Sequence, residues 1–66
     1  MNLTVNGKQQ QLSSPLTVAE LLGTLNLDAL RVAVELNRDI LPRERFGATA
    51  LADGDTLEIV QFVGGG

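Results

Sequence analysis

The residues best suited to chemistry are the three glycines that end the sequence, Gly64, Gly65 and Gly66. Glycine has no side chain, so such a segment can enter a channel that is too narrow for any Cβ atom. It would present the carboxylate of Gly66 to another protein's active site, which makes that carboxylate the candidate reacting group. We expect residues 64–66 to be exposed and mobile, because glycine adds nothing to a core and loses the most backbone entropy on ordering. A linker remnant or a frayed end would also explain the glycines.

The rest of the side-chain inventory offers no catalytic residue. The 66 residues include no cysteine and no histidine. Disulfides, thiol nucleophiles, thiolate or imidazole metal sites and the usual neutral-pH proton shuttle are therefore absent. A single domain of this size also has little room for a substrate pocket. We therefore expect a protein that binds no cofactor or metal and is modified by partner enzymes, not an enzyme itself.

The charge and hydropathy patterns limit the class of partner. The net charge is −3, and nucleic-acid binding is driven by basic patches, so we expect no nucleic-acid partner. The basic cluster of Arg38, Arg43 and Arg45 alternates with acidic residues and is typical of a solvated turn. The first residues resemble no signal peptide and no stretch approaches the roughly 20 apolar residues of a membrane span. We expect a cytoplasmic protein, monomeric on its own, with no membrane partner.

The first half of the chain predicts a hairpin and then a helix. Leu3 and Val5 alternate with polar residues, and Asn6-Gly7 is typical of a type I′ turn, so the polar stretch from Lys8 to Leu12 should return as an edge strand. Thr17 and Glu20 have the spacing of a capping box, so a helix should begin at Val18. The apolar residues of this helix recur at helical spacing and form one stripe, which consists of Val18, Leu21, Leu22 and Leu25. After the helix, Leu27 and Leu30 should cover the end of the core.

The second half predicts further strands. Val32 to Leu36 alternates as a third strand, Ile40-Leu41 before Pro42 should be a short edge strand, and the turn Asp53-Gly54-Asp55 precedes a last strand. We predict an α+β fold over residues 1–63, with a mixed sheet of 4–5 strands packed on one helix and the first and last strands adjacent in its centre. This is the ubiquitin-like β-grasp arrangement. Periodicity alone would also permit another small α+β roll.

Two features of the last strand and its turn have alternative interpretations. If Leu57 and Ile59 face the helix, Val60 and Phe62 lie on the open face and could form a docking patch beside the tail. Phe62 could instead fold over a sheet edge as ordinary packing. Asp53 and Asp55 have the spacing that begins a calcium loop, but no further oxygen ligands follow, so we interpret them as turn residues.

Over nearly its whole length the chain resembles the ThiS family, the small sulfur-carrier proteins of thiamine biosynthesis. Each matching segment is weak alone, but their order and spacing together are specific. One departure is Phe46, which stands where the family often has tryptophan. The matching segments are Leu3-Thr4-Val5-Asn6-Gly7, Thr17-Val18-Ala19-Glu20-Leu21-Leu22, Ala33-Val34-Glu35-Leu36-Asn37, Ile40-Leu41-Pro42-Arg43, Asp53-Gly54-Asp55, Leu57-Glu58-Ile59-Val60 and the glycine end.

The resemblance implies a mechanism and a set of partners. A ThiF-like adenylyltransferase, similar to ubiquitin-activating enzymes, would use ATP to join AMP to the Gly66 carboxylate. Sulfur from a persulfide, such as that of a cysteine desulfurase, would replace AMP, and a ThiG-like thiazole synthase would consume the resulting thiocarboxylate. Gly64 and Gly65 would give the tail reach. A carrier for molybdopterin synthase, a carrier for tRNA thiolation or protein tagging, and an adaptor with an inert tail remain open alternatives.

Overall fold

The computed structural model describes residues 1–13 and 15–63. The predicted tail, Gly64 to Gly66, lies outside the described residues. The elements are β1 (Asn2–Val5), β2 (Lys8–Gln11), α1 (Val18–Thr24), β3 (Val32–Leu36), β4 (Asp39–Leu41) and β5 (Thr56–Gln61), with 3-10 turns at Ala29–Arg31 and Arg43–Arg45.

The hairpin forms where the sequence predicts it. Asn6 and Gly7 have φ values of 50° and 79°, the positive values that both central positions of a type I′ turn require. Strands β1 and β2 pair antiparallel with Val5 opposite Lys8. The polar strand β2 lies at the edge of the sheet, as predicted.

The helix begins at Val18 behind the predicted capping box. The Thr17 hydroxyl accepts a hydrogen bond from the Glu20 backbone N–H at 3.1 Å, and the Glu20 carboxylate accepts one from the Thr17 N–H at 2.8 Å. These two bonds satisfy backbone donors that a helix start leaves without partners. Val18, Leu21 and Leu22 are buried, so the apolar stripe packs on the sheet.

The five strands form one mixed sheet in the order β2-β1-β5-β3-β4. β1 and β5 pair parallel, and the other neighbours pair antiparallel. The core lies between α1 and one face of this sheet and also takes in Phe46 and Leu51 from the connection before β5. The predicted β-grasp arrangement, with the first and last strands adjacent, is confirmed.

Two details differ from expectation. Leu27 packs against the core as predicted. Leu30 is 73% exposed and does not cover the core, so the prediction is wrong for Leu30. The Asp28 carboxylate accepts a hydrogen bond from the Leu30 N–H at 2.9 Å and caps a 3-10 turn in which Ala29 packs on the core. Arg43 differs from the predicted solvated turn because its side chain forms a hydrogen bond within the chain. Its Nε donates to the Ala29 carbonyl at 2.8 Å.

Asn6 joins the hairpin turn to the last strand. Its side-chain Nδ2 donates to the Ile59 carbonyl at 3.1 Å, and its Oδ1 accepts from the Ile59 N–H at 2.7 Å. Its own N–H donates to the Leu57 carbonyl at 2.9 Å. The side-chain amide therefore continues the hydrogen bonding of the parallel β1–β5 pair beyond the end of β1, and it fixes β5, which leads to the tail.

We expect Asn6→Ala to lower the free energy of unfolding more than Asn26→Ala. Both asparagines have positive φ, 50° and 59°, so both changes carry a similar backbone penalty. Asn6 also loses two side-chain hydrogen bonds, worth about 1–3 kcal/mol together. Urea unfolding of the two variants measures the difference. Equal losses in the two variants would show that the Asn6 amide contributes nothing beyond its backbone conformation.

Candidate functional site

The candidate site is the end of β5, where the chain leaves the sheet. Burial alternates along this strand: Leu57 and Ile59 are buried on the helix side, and Val60 is 60% exposed on the opposite side. Phe62 is 50% exposed and Val63 94% exposed. The predicted open-face position of Val60 is confirmed, whereas Phe62 lies one residue beyond the end of β5 and is half-exposed. Whether they form a docking surface stays a prediction.

Phe62 is also the point from which the tail extends. Its backbone N–H donates to the Arg31 carbonyl at 2.7 Å, which fixes the chain beside the start of β3. Four residues follow Phe62 in the sequence. At the maximal extension of a polypeptide they span about 14 Å. This length is an upper limit on the distance between Phe62 and the end of the sequence.

Phe62 also borders a shallow apolar cavity of about 190 Å³. Residues of β3, β4 and the segment after β4 form the rest of its lining, among them Ala33, Ile40 and Pro42. Arg43 borders it too, and its guanidinium donates to the carbonyls of Ala29 and Val32. The cavity contains no group that could act as a nucleophile or a general base at neutral pH.

The aspartates of the turn before β5 bond to the chain itself. The Asp53 carboxylate accepts a hydrogen bond from the Asn2 N–H at 2.6 Å. The Asp55 carboxylate accepts from the Asn37 amide at 3.0 Å and from the Ala52 N–H at 2.8 Å. No group of three or more potential metal ligands occurs among residues 1–13 and 15–63. The interpretation of Asp53 and Asp55 as turn residues is confirmed.

In the part of the chain that the structure describes, no helix is long and apolar enough to cross a membrane.

A small mixed sheet on one helix, in which a central strand comes shortly before the three glycines that end the sequence, defines a ubiquitin-like β-grasp protein. The sequence model of the ThiS family matches residues 3–66. The chain belongs to the ThiS family, the sulfur carrier proteins of thiamine biosynthesis.

Individual relatives agree with this assignment. The crystal structure of the thiamine biosynthesis protein ThiS from Geobacter metallireducens superimposes with a TM-score of 0.85 at 49% identity, and 100% of each chain is covered. The sulfur carrier protein ThiS of Bacillus subtilis is 40% identical over 65 residues, which cover 97% of this chain and 98% of that protein.

One further relative is much longer than this chain. The thiazole synthase of Paramagnetospirillum magneticum is 47% identical over 66 residues. The match covers 100% of this chain and 20% of that protein. In that organism a ThiS-like segment is therefore part of the same polypeptide as a thiazole synthase.

Proposed function

We propose that residues 1–63 are the folded carrier domain and that 64–66 are its reactive tail, with Gly66 carrying sulfur as a C-terminal thiocarboxylate. The observation that carries this proposal is the exposed exit of β5 at Phe62 and Val63, directly followed by three glycines. The absence of cysteine and histidine from the sequence supports a carrier whose chemistry is performed by its partners.

The chemistry requires activation because a carboxylate is a poor electrophile. A ThiF-like adenylyltransferase would let the Gly66 carboxylate attack the α-phosphate of ATP, with pyrophosphate leaving. The terminal sulfur of a persulfide, such as that on a cysteine desulfurase, would attack the acyl carbon and release AMP. A thiol would then attack the donor's sulfur in this acyl disulfide, form a disulfide with the donor and release the thiocarboxylate. This divides covalent catalysis among several proteins.

A ThiG-like thiazole synthase is the proposed consumer of the thiocarboxylate. The relative from Paramagnetospirillum magneticum, in which a ThiS-like segment and a thiazole synthase share one polypeptide, supports this partnership. Sharing a chain raises the effective concentration of two domains that act in sequence.

Val60 and Phe62 are the proposed docking residues for the adenylyltransferase. Both are large, apolar and exposed. Exposed aromatic groups of this kind are common anchors of protein interfaces. A partner that covers Phe62 would also bring its active site within the reach of the tail, about 14 Å at most.

Intact-mass analysis tests the modification. After incubation with the adenylyltransferase, ATP, a persulfide donor and a reducing thiol, we expect the exchange of one oxygen for sulfur, with fragmentation placing it at Gly66. A chain that lacks Gly66 is the control, and it should gain sulfur far more slowly because its carboxylate is one residue short of the expected position. Sulfur found on another residue would contradict the proposal.

A further inference from the structure

Strand β4 ends before it reaches the start of its neighbour β3. In the antiparallel β3–β4 pairing, Val34 is opposite Leu41. Further along, the same register would place Val32 opposite Arg43. Pro42 has no N–H to donate, and the chain enters a 3-10 turn directly after it. The main chain after β4 therefore does not continue the ladder to the first residue of β3.

The Arg43 side chain binds the carbonyls at this end of β3. Its Nη2 donates to the Val32 carbonyl at 3.3 Å, and its Nε donates to the Ala29 carbonyl at 2.8 Å. A guanidinium holds its donors in one rigid plane, so a single side chain can fix two carbonyls relative to each other. Ala29 begins the 3-10 turn before β3, and Val32 is the first residue of β3. Arg43 therefore fixes residues 29–32 at both ends.

The same short segment holds the end of the last strand. The Arg31 carbonyl, between the two carbonyls that Arg43 binds, accepts a hydrogen bond from the Phe62 N–H at 2.7 Å. Successive carbonyls of an extended chain point to opposite sides, so Arg31 can serve β5 while Val32 serves Arg43. Arg43 and Phe62 also border the same cavity. Among the described residues, no backbone hydrogen bond is found beyond Phe62.

We propose that Arg43 is a positioning residue, which holds residues 29–32 so that the Arg31 carbonyl keeps Phe62 at the edge of the sheet. A strand end that few hydrogen bonds hold opens locally, and Arg43 opposes this opening from the other side of β3. An opened Phe62 must be ordered again when a partner binds, which lowers the apparent affinity. This inference rests on the proposed function, in which Phe62 docks on the adenylyltransferase.

NMR of the isolated protein tests the contact without any partner. The scalar coupling across the hydrogen bond from the Phe62 N–H to the Arg31 carbonyl reports how much of the native population forms this bond. In Arg43→Gln we expect this coupling to fall by about half or more, because the carbonyl is no longer held in place. The bond from the Asn6 N–H to the Leu57 carbonyl is the internal reference. Its coupling should not change, which also shows that the variant is folded.

Binding to the purified adenylyltransferase tests the consequence for docking, with Arg45→Gln as the matched control. Arg45 is an exposed arginine in the same 3-10 turn, and among residues 1–13 and 15–63 its side chain forms no hydrogen bond or ion pair. We expect Arg43→Gln to bind about 3- to 10-fold more weakly and Arg45→Gln to stay within about twofold of the wild type. At saturating concentrations both variants should be adenylated at the wild-type rate, because the bound partner orders Phe62.

A double variant distinguishes positioning from direct contact. In a Phe62→Ala background, Arg43→Gln should weaken binding no further, as expected for a residue that acts through Phe62. Equal weakening in both backgrounds would overturn the inference, because it would show that Arg43 contacts the partner itself. An unchanged Phe62 coupling, or wild-type affinity despite a reduced coupling, would overturn it too. A wild-type chain that is not adenylated would contradict the proposed function, while the coupling would still test the role of Arg43 within the fold.

Discussion

Replacing Gly65 with valine is expected to reduce adenylation by about 100-fold or more and to leave the melting temperature unchanged. The branched side chain would lie one residue from the reacting carboxylate, where an enclosing channel has no room. It would also exclude the positive φ values that glycine permits. Pyrophosphate release with the adenylyltransferase and ATP measures the first effect, and thermal unfolding measures the second.

Two further variants sharpen this comparison. Gly65→Ala adds a single methyl group and should give an intermediate rate. Gly47→Ala is the control within the domain, because Gly47 is exposed and a Cβ there meets no atom within 4 Å. It should be adenylated normally. If Gly65→Val is adenylated at the wild-type rate, the proposed narrow channel is refuted. If this variant has a lower melting temperature than the wild type, the tail is part of the fold, which favours the inert-tail alternative.

The second large effect is expected at Phe62. Phe62→Asp should weaken binding to the adenylyltransferase by one to a few kcal/mol, as expected for the loss of an aromatic anchor. Because Phe62 is already 50% exposed, the free energy of unfolding should fall by less than about 1 kcal/mol. Calorimetric titration with the purified partner and urea unfolding measure the two quantities.

Leu30→Asp is the matched control for this variant. Leu30 is also a large, exposed apolar residue, but it lies in the 3-10 turn before β3 and is not one of the proposed docking residues, Val60 and Phe62. Leu30→Asp adds the same negative charge but should leave binding to the adenylyltransferase nearly unchanged. If the two variants bind equally well, the patch around Phe62 is not the docking surface.

The parts of the fold that local rules specify were predictable from the sequence. Two adjacent residues, Asn6 and Gly7, suffice to predict the hairpin turn. Thr17 and Glu20, which lie within one four-residue motif, suffice to predict the helix start. The alternation along β5 correctly placed Val60 on the open face. These signals involve neighbours in sequence, so no knowledge of strand pairing is needed to interpret them.

The features that depend on strand pairing were not predictable. The Asn6 amide bonds to Ile59, 53 residues away, and the pairing of Glu35 with Glu58 appears only once β3 and β5 are in register. The prediction for Leu30 was wrong because it used hydropathy alone, whereas the Asp28 side chain caps a 3-10 turn that leaves Leu30 exposed. For the candidate site, the sequence predicted the exposure of Val60 and Phe62, but the pairing that places Val60 opposite Ala33 required the structure.

The parallel pairing of β1 with β5 has a consequence for how the carrier is made. Thr4 lies opposite Thr56, so the centre of the sheet joins segments from the two ends of the domain. Such nonlocal pairing slows folding, because the loop-closure entropy is lost before the contacts form. The ribosome also synthesises β5 last of all the strands. A nascent chain therefore cannot complete the proposed docking surface before β5 has emerged, and incomplete chains should not compete for the proposed adenylyltransferase partner.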